Sequence, residues 1–592
     1  MSILRAALFA PLVAAATLSQ HQTVRRRASE LDKAYDFVIA GGGTTGLTIA
    51  DRLSEAFPER NVLVIEYGDN VYAPGVFDPP QVIWRGEGGE SSPAWTFISL
   101  PAPDVLNRTA FVLAGQSLGG SSCINGQFFD RPSRWDFEAW NQLQKPENDE
   151  SDPQWDWDGI YEYFKRASPS QNHLMKSSRS TAILGTQPST AAPPHLRELP
   201  PFLWDDNDVI RDAFLELGAP ELTECSGGDK NGVCWVPTSA HPVTFRRSHA
   251  GLGHYAAIQE RPNYHVLLNH QVTRVVYGKG CAAKAPPFVE VRSLGDDSVF
   301  NVTARLEVVI SAGTFHTPTI LQRSGIGPSD FLEELEWNYT EPADWSPLPV
   351  DMLKDDFLAD AVAGFNETPA RGPYTLAMAN LALFLSLPLI TPNILPTPAY
   401  RDDPTLIAGY EHQLLVLADL LENPEAPSLE SPYATAGTSI PSFLLHPLSR
   451  GTVRLDPAKP LDQPIVDYRT ASNPVDLDLH LAHVKYLRGV FDTPTVQQYK
   501  PVVTVPADDV TSDDDLIQFI KETMVFSYMH PCCTAAMLPR EKGGVVGTDL
   551  RVHGAKGLRV ADISVLPILP SSHTSAQAYA IGEKVNQETR FQ

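Results

Sequence analysis

A glycine-rich turn and one acidic residue near the start of the chain have the types and spacing that bind a phosphate and a ribose. Gly41, Gly43 and Gly46 follow the G-x-G-x-x-G pattern, and Glu66 comes after the next hydrophobic segment. Glycines permit a tight turn and a close approach of the backbone to a pyrophosphate, and a carboxylate accepts hydrogen bonds from ribose hydroxyls. These residues predict a dinucleotide site.

The segments around the turn have the patterns needed to position it. Residues 35–40 (YDFVIA) predict a buried strand that ends at the turn. After the turn, residues 47–53 have the spacing of a helix. Residues 61–65 (NVLVI) predict a second buried strand that ends just before Glu66. Because a strand, a turn, a helix and a strand follow in this order, the pattern favours a bound dinucleotide over an unrelated turn.

The bulk properties narrow the class of protein. A chain of 592 residues exceeds one compact core, so two or more domains are expected. The net charge of -25 argues against nucleic acid or an anionic membrane as a partner. The six cysteines are too scattered for a disulfide scaffold or a zinc site, and no metal is expected. Cys225 and Cys234 could bridge locally, whereas Cys532 and Cys533 are interpreted as two packed thiols.

The first residues predict export from the cell. Arg5, an apolar stretch and small residues near a cleavage point give residues 1–19 the pattern of a signal peptide. Four N-x-[ST] sequons, at Asn107, Asn301, Asn338 and Asn366, agree with a secreted glycoprotein. Residues 376–387 are apolar, but Asn380 interrupts this segment and Pro388 ends it, so a buried helix or the wall of an access channel is expected instead of a membrane span.

Four separated blocks resemble the signatures of the glucose-methanol-choline (GMC) family of FAD-dependent oxidoreductases. They are the glycine turn, residues 115–126 (GQSLGGSSCING), residues 313–327 (GTFHTPTILQRSGIG), and a C-terminal block formed by residues 528–531 (YMHP), 558–564 (LRVADIS) and 571–573 (SSH). The blocks follow the family's order and are distributed along the chain, so the resemblance covers nearly the whole mature chain. It implies an α/β fold (α+β overall), with a Rossmann-like FAD-binding domain and a substrate-binding domain built on an antiparallel sheet.

The domains are expected to be discontinuous. The FAD-binding domain is predicted over residues 32–150, 240–330 and 525–592. The substrate-binding domain and its lid segments are predicted over residues 151–239 and 331–524. Nucleotide-binding segments therefore recur along the chain, with substrate-domain segments inserted between them.

The resemblance implies which residues hold the cofactor, FAD. Val272 would present its backbone to the adenine, and Asp562 would lie near the ribityl-pyrophosphate. The full set is Gly41, Gly43, Thr44, Thr45, Gly46, Glu66, Ser121, Asn125, Gly126, Phe128, Val272 and Asp562. Independently of the family, the small residues 119–122 can bring backbone N–H groups against a phosphate or a flavin ring.

Two histidines are expected to perform the proton transfer, and they are identified by their match to positions in the family's signatures. Oxidation of an alcohol removes the O–H proton while a hydride passes from carbon to the flavin, and a neutral imidazole is a suitable base. His530 matches the family's base, and His573 matches the second position, which assists at the alkoxide. The implied partners are a small-molecule alcohol and dioxygen or another electron acceptor. The sequence carries no signal for an oligomeric state.

Two departures from the family pattern keep alternatives open. Met352 and Asp356 replace an Asn and a His that the family has near the flavin, and Cys533 stands where a Gly is usual. The alternatives are a non-redox cyclase or lyase with structural FAD, and a flavoprotein without catalysis. Similarity in residues 64–68 and 129–132 to fungal members of secondary metabolism instead favours an enzyme for an aromatic or small heterocyclic alcohol.

Overall fold

The computed structural model describes residues 24–70 except 33, 93–144, 155–167, 206–240 except 224, 246–277, 287–328, 331–332, 379–386, 403–434 and 440–590. The segment around Met352, the predicted signal peptide, and the sequons at Asn338 and Asn366 lie outside these residues. The strands are β1 Val24–Arg25, β2 Tyr35–Ala40, β3 Val62–Ile65, β4 Ala94–Ile98, β5 Phe111–Gly115, β6 Gly232–Trp235, β7 Tyr264–Leu267, β8 His270–Val276, β9 Phe288–Ser293, β10 Val299–Ile310, β11 Ala379–Leu385, β12 Leu429–Ala434, β13 Phe443–Leu444, β14 Thr452–Arg454, β15 Ile465–Asp467 and β16 Leu558–Val560.

Helices follow or separate these strands. They are α1 Thr44–Ala56, α2 Arg134–Gln144, α3 Trp157–Ala167, α4 Asp206–Glu216, α5 Gly313–Arg323, α6 Pro404–Glu422, α7 Val475–Asp492, α8 Pro494–Gln497, α9 Asp513–Thr523 and α10 Ser575–Arg590. In the part of the chain that the structure describes, no helix is both long and apolar enough to cross a membrane.

The main sheet is mostly parallel and holds the largest core. Its strand order is β1-β7-β3-β2-β10-β9-β8, and β16 pairs with β10. Strands β1, β7, β3, β2, β10 and β16 run parallel, whereas β8, β9 and the start of β10 form an antiparallel extension. Strand β3 is buried at every position, as expected for a parallel strand covered on both faces.

A second, antiparallel sheet has the order β13-β12-β11-β6. The predicted fold class is therefore confirmed: a Rossmann-like parallel sheet is joined to a domain built on an antiparallel sheet. The expected helix within residues 376–387 is wrong, because Ala379–Leu385 is strand β11 and pairs with β12 and β6. A short apolar run does not by itself distinguish a buried strand from a buried helix.

Two pairs of cysteines are bonded. Cys225 and Cys234 form the local disulfide that the sequence allowed. Cys532 and Cys533 also form a disulfide, so their interpretation as two packed thiols is wrong. Cys533 has a φ of 73°, in the left-handed region where the family pattern places Gly. Cys123 is a buried free thiol.

Candidate active site

The expected cofactor residues gather at one edge of the parallel sheet. Strands β2, β3, β10 and β16 end there together, because parallel strands share their carboxyl ends. Backbone hydrogen bonds to carboxylates join the segments that follow these strands. Gly42 N donates to Glu66 Oε2 at 2.7 Å, and Gly313 N donates to Asp562 Oδ2 at 2.8 Å.

Two glycines of the turn are required by close backbone contacts. Gly41 has a φ of 112°, and a Cβ there would lie 2.2 Å from the carbonyl oxygen of Ser311. A Cβ on Gly46 would lie 2.1 Å from the carbonyl oxygen of Gly41. Both distances are far below a van der Waals contact, so strand β2, the turn and helix α1 pack at a spacing that only glycine permits.

The start of α1 has the features of a phosphate site. Its N-cap residue is Gly43, and no side chain among the described residues caps it. A second glycine turn lies alongside, since Gly119 N donates to Gly42 O at 2.8 Å. The uncapped N–H groups and the helix dipole favour an anion at this point. The residues present therefore fit the pyrophosphate of FAD, with Thr44 and Thr45 at the first turn of the helix.

Other predicted cofactor residues lie on segments that adjoin this edge. Asn125 Oδ1 accepts a hydrogen bond from Arg247 Nη1 at 2.7 Å, so Arg247 fixes the amide. Ser121 Oγ accepts from Gly115 N at 3.0 Å. Val272 lies in β8, next to the end of β3, where His270 N donates to Glu66 O at 3.1 Å. No motif in the sequence points to Arg247.

The two histidines lie side by side although they come from different segments. The ring centroids of His530 and His573 are 4.8 Å apart, and the ring planes are nearly perpendicular at 82°. His530 follows a single 3-10 turn after α9, and His573 lies just before α10. Phe128 stacks on the other side of His573 at 4.2 Å, so this predicted cofactor residue also holds the second imidazole in place.

Behind His573 lies a cluster of buried charges that the sequence did not reveal, made of Asp130, Lys230 and Glu430. Asp130 Oδ1 lies 3.1 Å from His573 Nδ1, and its other oxygen accepts from Lys230 Nζ. Lys230 also donates to the carbonyl oxygen of Arg131 at 2.9 Å. Glu430, on strand β12, places Oε1 at 3.6 Å from His573 Nδ1. The imidazole thus faces the carboxyl groups of two separate segments, Asp130 and Glu430 on β12.

These surroundings separate the pKa values of the two imidazoles. Burial, together with the positive charge of His573, lowers the pKa of His530 to about 3, against a smaller opposing effect of Asp130. Burial also opposes the charge of His573, but Glu430 and Asp130 outweigh it and raise its pKa above the ordinary 6.5. An imidazole held in its neutral form therefore lies beside one whose charged form is favoured, which suits a base and an alkoxide-stabilising group.

His530 lines a large cavity. Its volume is about 1520 Å³, and the described residues that line it include His530, Glu430 and several aromatic side chains. Phe443 and Tyr528 contact each other at 4.0 Å between ring centroids, and Tyr528 meets His530 edge to face at 6.4 Å. An aromatic wall next to a proton acceptor suits a flat, apolar alcohol.

Comparison with known proteins identifies the family. Models of the GMC oxidoreductases match residues 35–334 and 447–582. Dehydrogenase xptC of Emericella nidulans is 31% identical over 97% of this chain and 96% of its own length. Glucose oxidase of Penicillium chrysogenum is 28% identical over 93% of this chain and 91% of its own.

A solved structure gives the same result. A fungal aryl-alcohol oxidase superposes with a TM-score of 0.81 at 49% identity, and covers 94% of this chain and 99% of its own. The family explains the signature blocks, the parallel sheet and the glycine turns together. The chain belongs to the GMC oxidoreductase family and is an FAD-dependent oxidoreductase of alcohols.

Proposed function

We propose that this protein is a secreted oxidase or dehydrogenase that converts an aromatic or small heterocyclic alcohol to the carbonyl compound in fungal secondary metabolism. The observation that carries the proposal is a pair of imidazoles 4.8 Å apart, with pKa values shifted in opposite directions and with His530 on an aromatic-lined cavity. The aryl-alcohol oxidase among the similar structures supports the choice of an aromatic alcohol as substrate.

The residues divide the reaction between them. Neutral His530 accepts the hydroxyl proton, and charged His573 stabilises the oxygen as negative charge develops on it. FAD, when bound, accepts the hydride from the alcohol carbon. Asp130 and Glu430 keep His573 charged and oriented, while Phe128 fixes the plane of its ring. Phe443 and Tyr528 offer the aromatic surface on which the substrate ring packs.

The test is anaerobic reduction of the purified holoprotein by a panel of benzylic alcohols, heterocyclic alcohols and sugars. We expect benzylic or heterocyclic alcohols to bleach the flavin absorbance and to yield the aldehyde by mass spectrometry. The His530→Ala variant should lose about 10²–10⁴-fold in kcat, the usual contribution of a general base. Bleaching by sugars alone would refute the aromatic substrate, and conversion of a ligand without bleaching would favour a cyclase or lyase with structural FAD.

The acceptor is tested on the same preparation. Reoxidation of the bleached flavin by dioxygen, measured as hydrogen peroxide formed, would identify an oxidase. Reoxidation by a quinone but not by dioxygen would identify a dehydrogenase.

A further inference from the structure

The disulfide between Cys532 and Cys533 lies in the candidate active site itself. It begins two residues after His530, and both cysteines line the cavity that His530 lines. They are only partly buried. The other disulfide differs, because Cys225 and Cys234 are fully buried in a separate hydrophobic cluster.

Hydrogen bonds hold this disulfide between two segments that carry family signatures, residues 313–327 and 558–564. Cys533 N donates to Ile563 O at 3.3 Å, and Ile563 directly follows Asp562. On the other side, Thr314 Oγ1 donates to Pro531 O at 2.8 Å, and Thr534 Oγ1 donates to Thr314 O at 2.7 Å.

The same segments are joined to each other, because Gly313, next to Thr314, donates to Asp562. The disulfide therefore lies between the proposed base, His530, and the segments that the Gly313–Asp562 hydrogen bond joins. The loop is already held without a bond between the adjacent cysteines, by the hydrogen bonds with Thr314 of α5 and by the backbone bond to Ile563, which follows β16.

We infer that the Cys532–Cys533 disulfide is a second two-electron acceptor in this active site, reduced by the flavin that the alcohol has reduced. The inference rests on the alcohol oxidation described under the proposed function. A disulfide between residues at a reaction centre is chemically suited to this role, because exposed disulfides are the labile and catalytic ones.

The electrons and protons of the step balance. The reduced flavin gives up a hydride equivalent, which is two electrons and one proton, and the solvent supplies a second proton. The S–S bond breaks, each sulfur becomes a thiol, and the flavin returns to its oxidised form. The protein then holds the electrons of one alcohol on sulfur, and a second alcohol can reduce the flavin again before an acceptor arrives.

The experiment is an anaerobic reductive titration of the holoprotein with dithionite, followed by iodoacetamide labelling and peptide mass spectrometry. We expect the wild type to take up four electrons per FAD and to carry label on both Cys532 and Cys533. Cys225 and Cys234 should stay bonded and serve as the internal control against direct reduction by dithionite. The Cys532→Ala/Cys533→Gly variant, which restores the family's Gly, should take up two electrons per FAD.

A Cys532→Ser variant keeps the backbone at Cys533 unchanged, and it should also take up two electrons per FAD. The inference is overturned if the wild type takes up only two electrons per FAD and both cysteines remain unlabelled while the flavin is fully bleached. Titration with a benzylic alcohol separates this result from the proposed function. If Cys532 and Cys533 carry the iodoacetamide label after reduction by dithionite, but aromatic alcohols do not bleach the flavin, the substrate proposal fails and the disulfide acceptor stands.

Discussion

At the scale of single residues, the charge on His573 depends on buried partners that share no sequence motif. Asp130 lies within a segment noted only for its similarity to fungal relatives, Lys230 lies before β6, and Glu430 lies on β12. Each is buried, and an uncompensated charge at such a site is costly. Their effects are therefore open to measurement both in the pH profile and in the stability of the protein.

Removal of the Asp130 charge should change the alkaline side of the pH profile. Because the pKa of His573 is raised, its imidazolium persists at pH values where a free His is neutral, and its ion pairs stabilise the folded protein there. Both the charge and this stabilisation are lost as the pH rises through the pKa of the folded state. Asp130→Asn weakens this effect while Glu430 remains. We expect the alkaline fall in kcat/KM to move to lower pH.

The control is Asp51→Asn, which removes a buried carboxylate within α1 that bonds His254 at 2.9 Å. It should lower the melting temperature without moving the alkaline fall in kcat/KM. An unchanged pH profile of kcat/KM in Asp130→Asn would contradict the role of Asp130 in keeping His573 charged.

Loss of Lys230 should be a stability defect. Lys230→Met leaves Asp130 as a buried carboxylate whose lysine partner is gone, and removal of one member of a buried ion pair costs about 3–5 kcal/mol. We expect a lower free energy of unfolding in urea or a lower melting temperature. The Asp130→Asn/Lys230→Met double variant removes both charges and should recover part of the loss. A single variant as stable as the wild type would refute the ion pair's contribution.

At the scale of elements, the β2–turn–α1–β3 unit was the part most directly predictable. Its pattern lies within a short stretch, and the glycine spacing reports a backbone contact that the structure confirms at Gly41 and Gly46. Strand β11 was missed as a strand, because its partners β6 and β12 come from distant parts of the chain. Pairing between distant strands is not encoded in the local pattern of either one.

A substitution in the turn tests whether this element holds the cofactor. Gly41→Ala would place a Cβ 2.2 Å from Ser311 O and force a left-handed φ on alanine. We expect the purified variant to lose most of its flavin, measured as the ratio of flavin to protein absorbance.

Gly218→Ala is the matched control, since Gly218 also has a positive φ, of 89°, but a Cβ there would meet no atom of the described residues within 4 Å. It should cost about 1–2 kcal/mol of stability from the left-handed conformation alone and keep its flavin. Equal flavin contents in the two variants would contradict the proposed role of the turn.

At the scale of the whole molecule, export and glycosylation remain predictions with a direct test. Asn107 and Asn301 are exposed in the folded protein, as acceptor sites for glycans must be. We expect the protein secreted by a fungal host to begin near residue 20 and to lose mass on treatment with an endoglycosidase. The Asn107→Gln and Asn301→Gln variants should each lack one glycan. An unglycosylated intracellular product that retains residues 1–19 would refute secretion.

The sequence by itself determined the cofactor and the fold class, because these depend on motifs in which each residue's role is tied to its neighbours along the chain. For the two histidines it gave a prediction, through family resemblance. Only the tertiary structure decided what surrounds them. Asp130 and His573 are separated by 443 positions, and Thr45 reaches Ala578 across 533. Such contacts form when the parallel strands bring their carboxyl ends together and the second sheet closes over them. The opposite pKa shifts of the two imidazoles follow from their burial and, for His573, from the neighbouring carboxylates of Glu430 and Asp130, and no local sequence pattern records either cause.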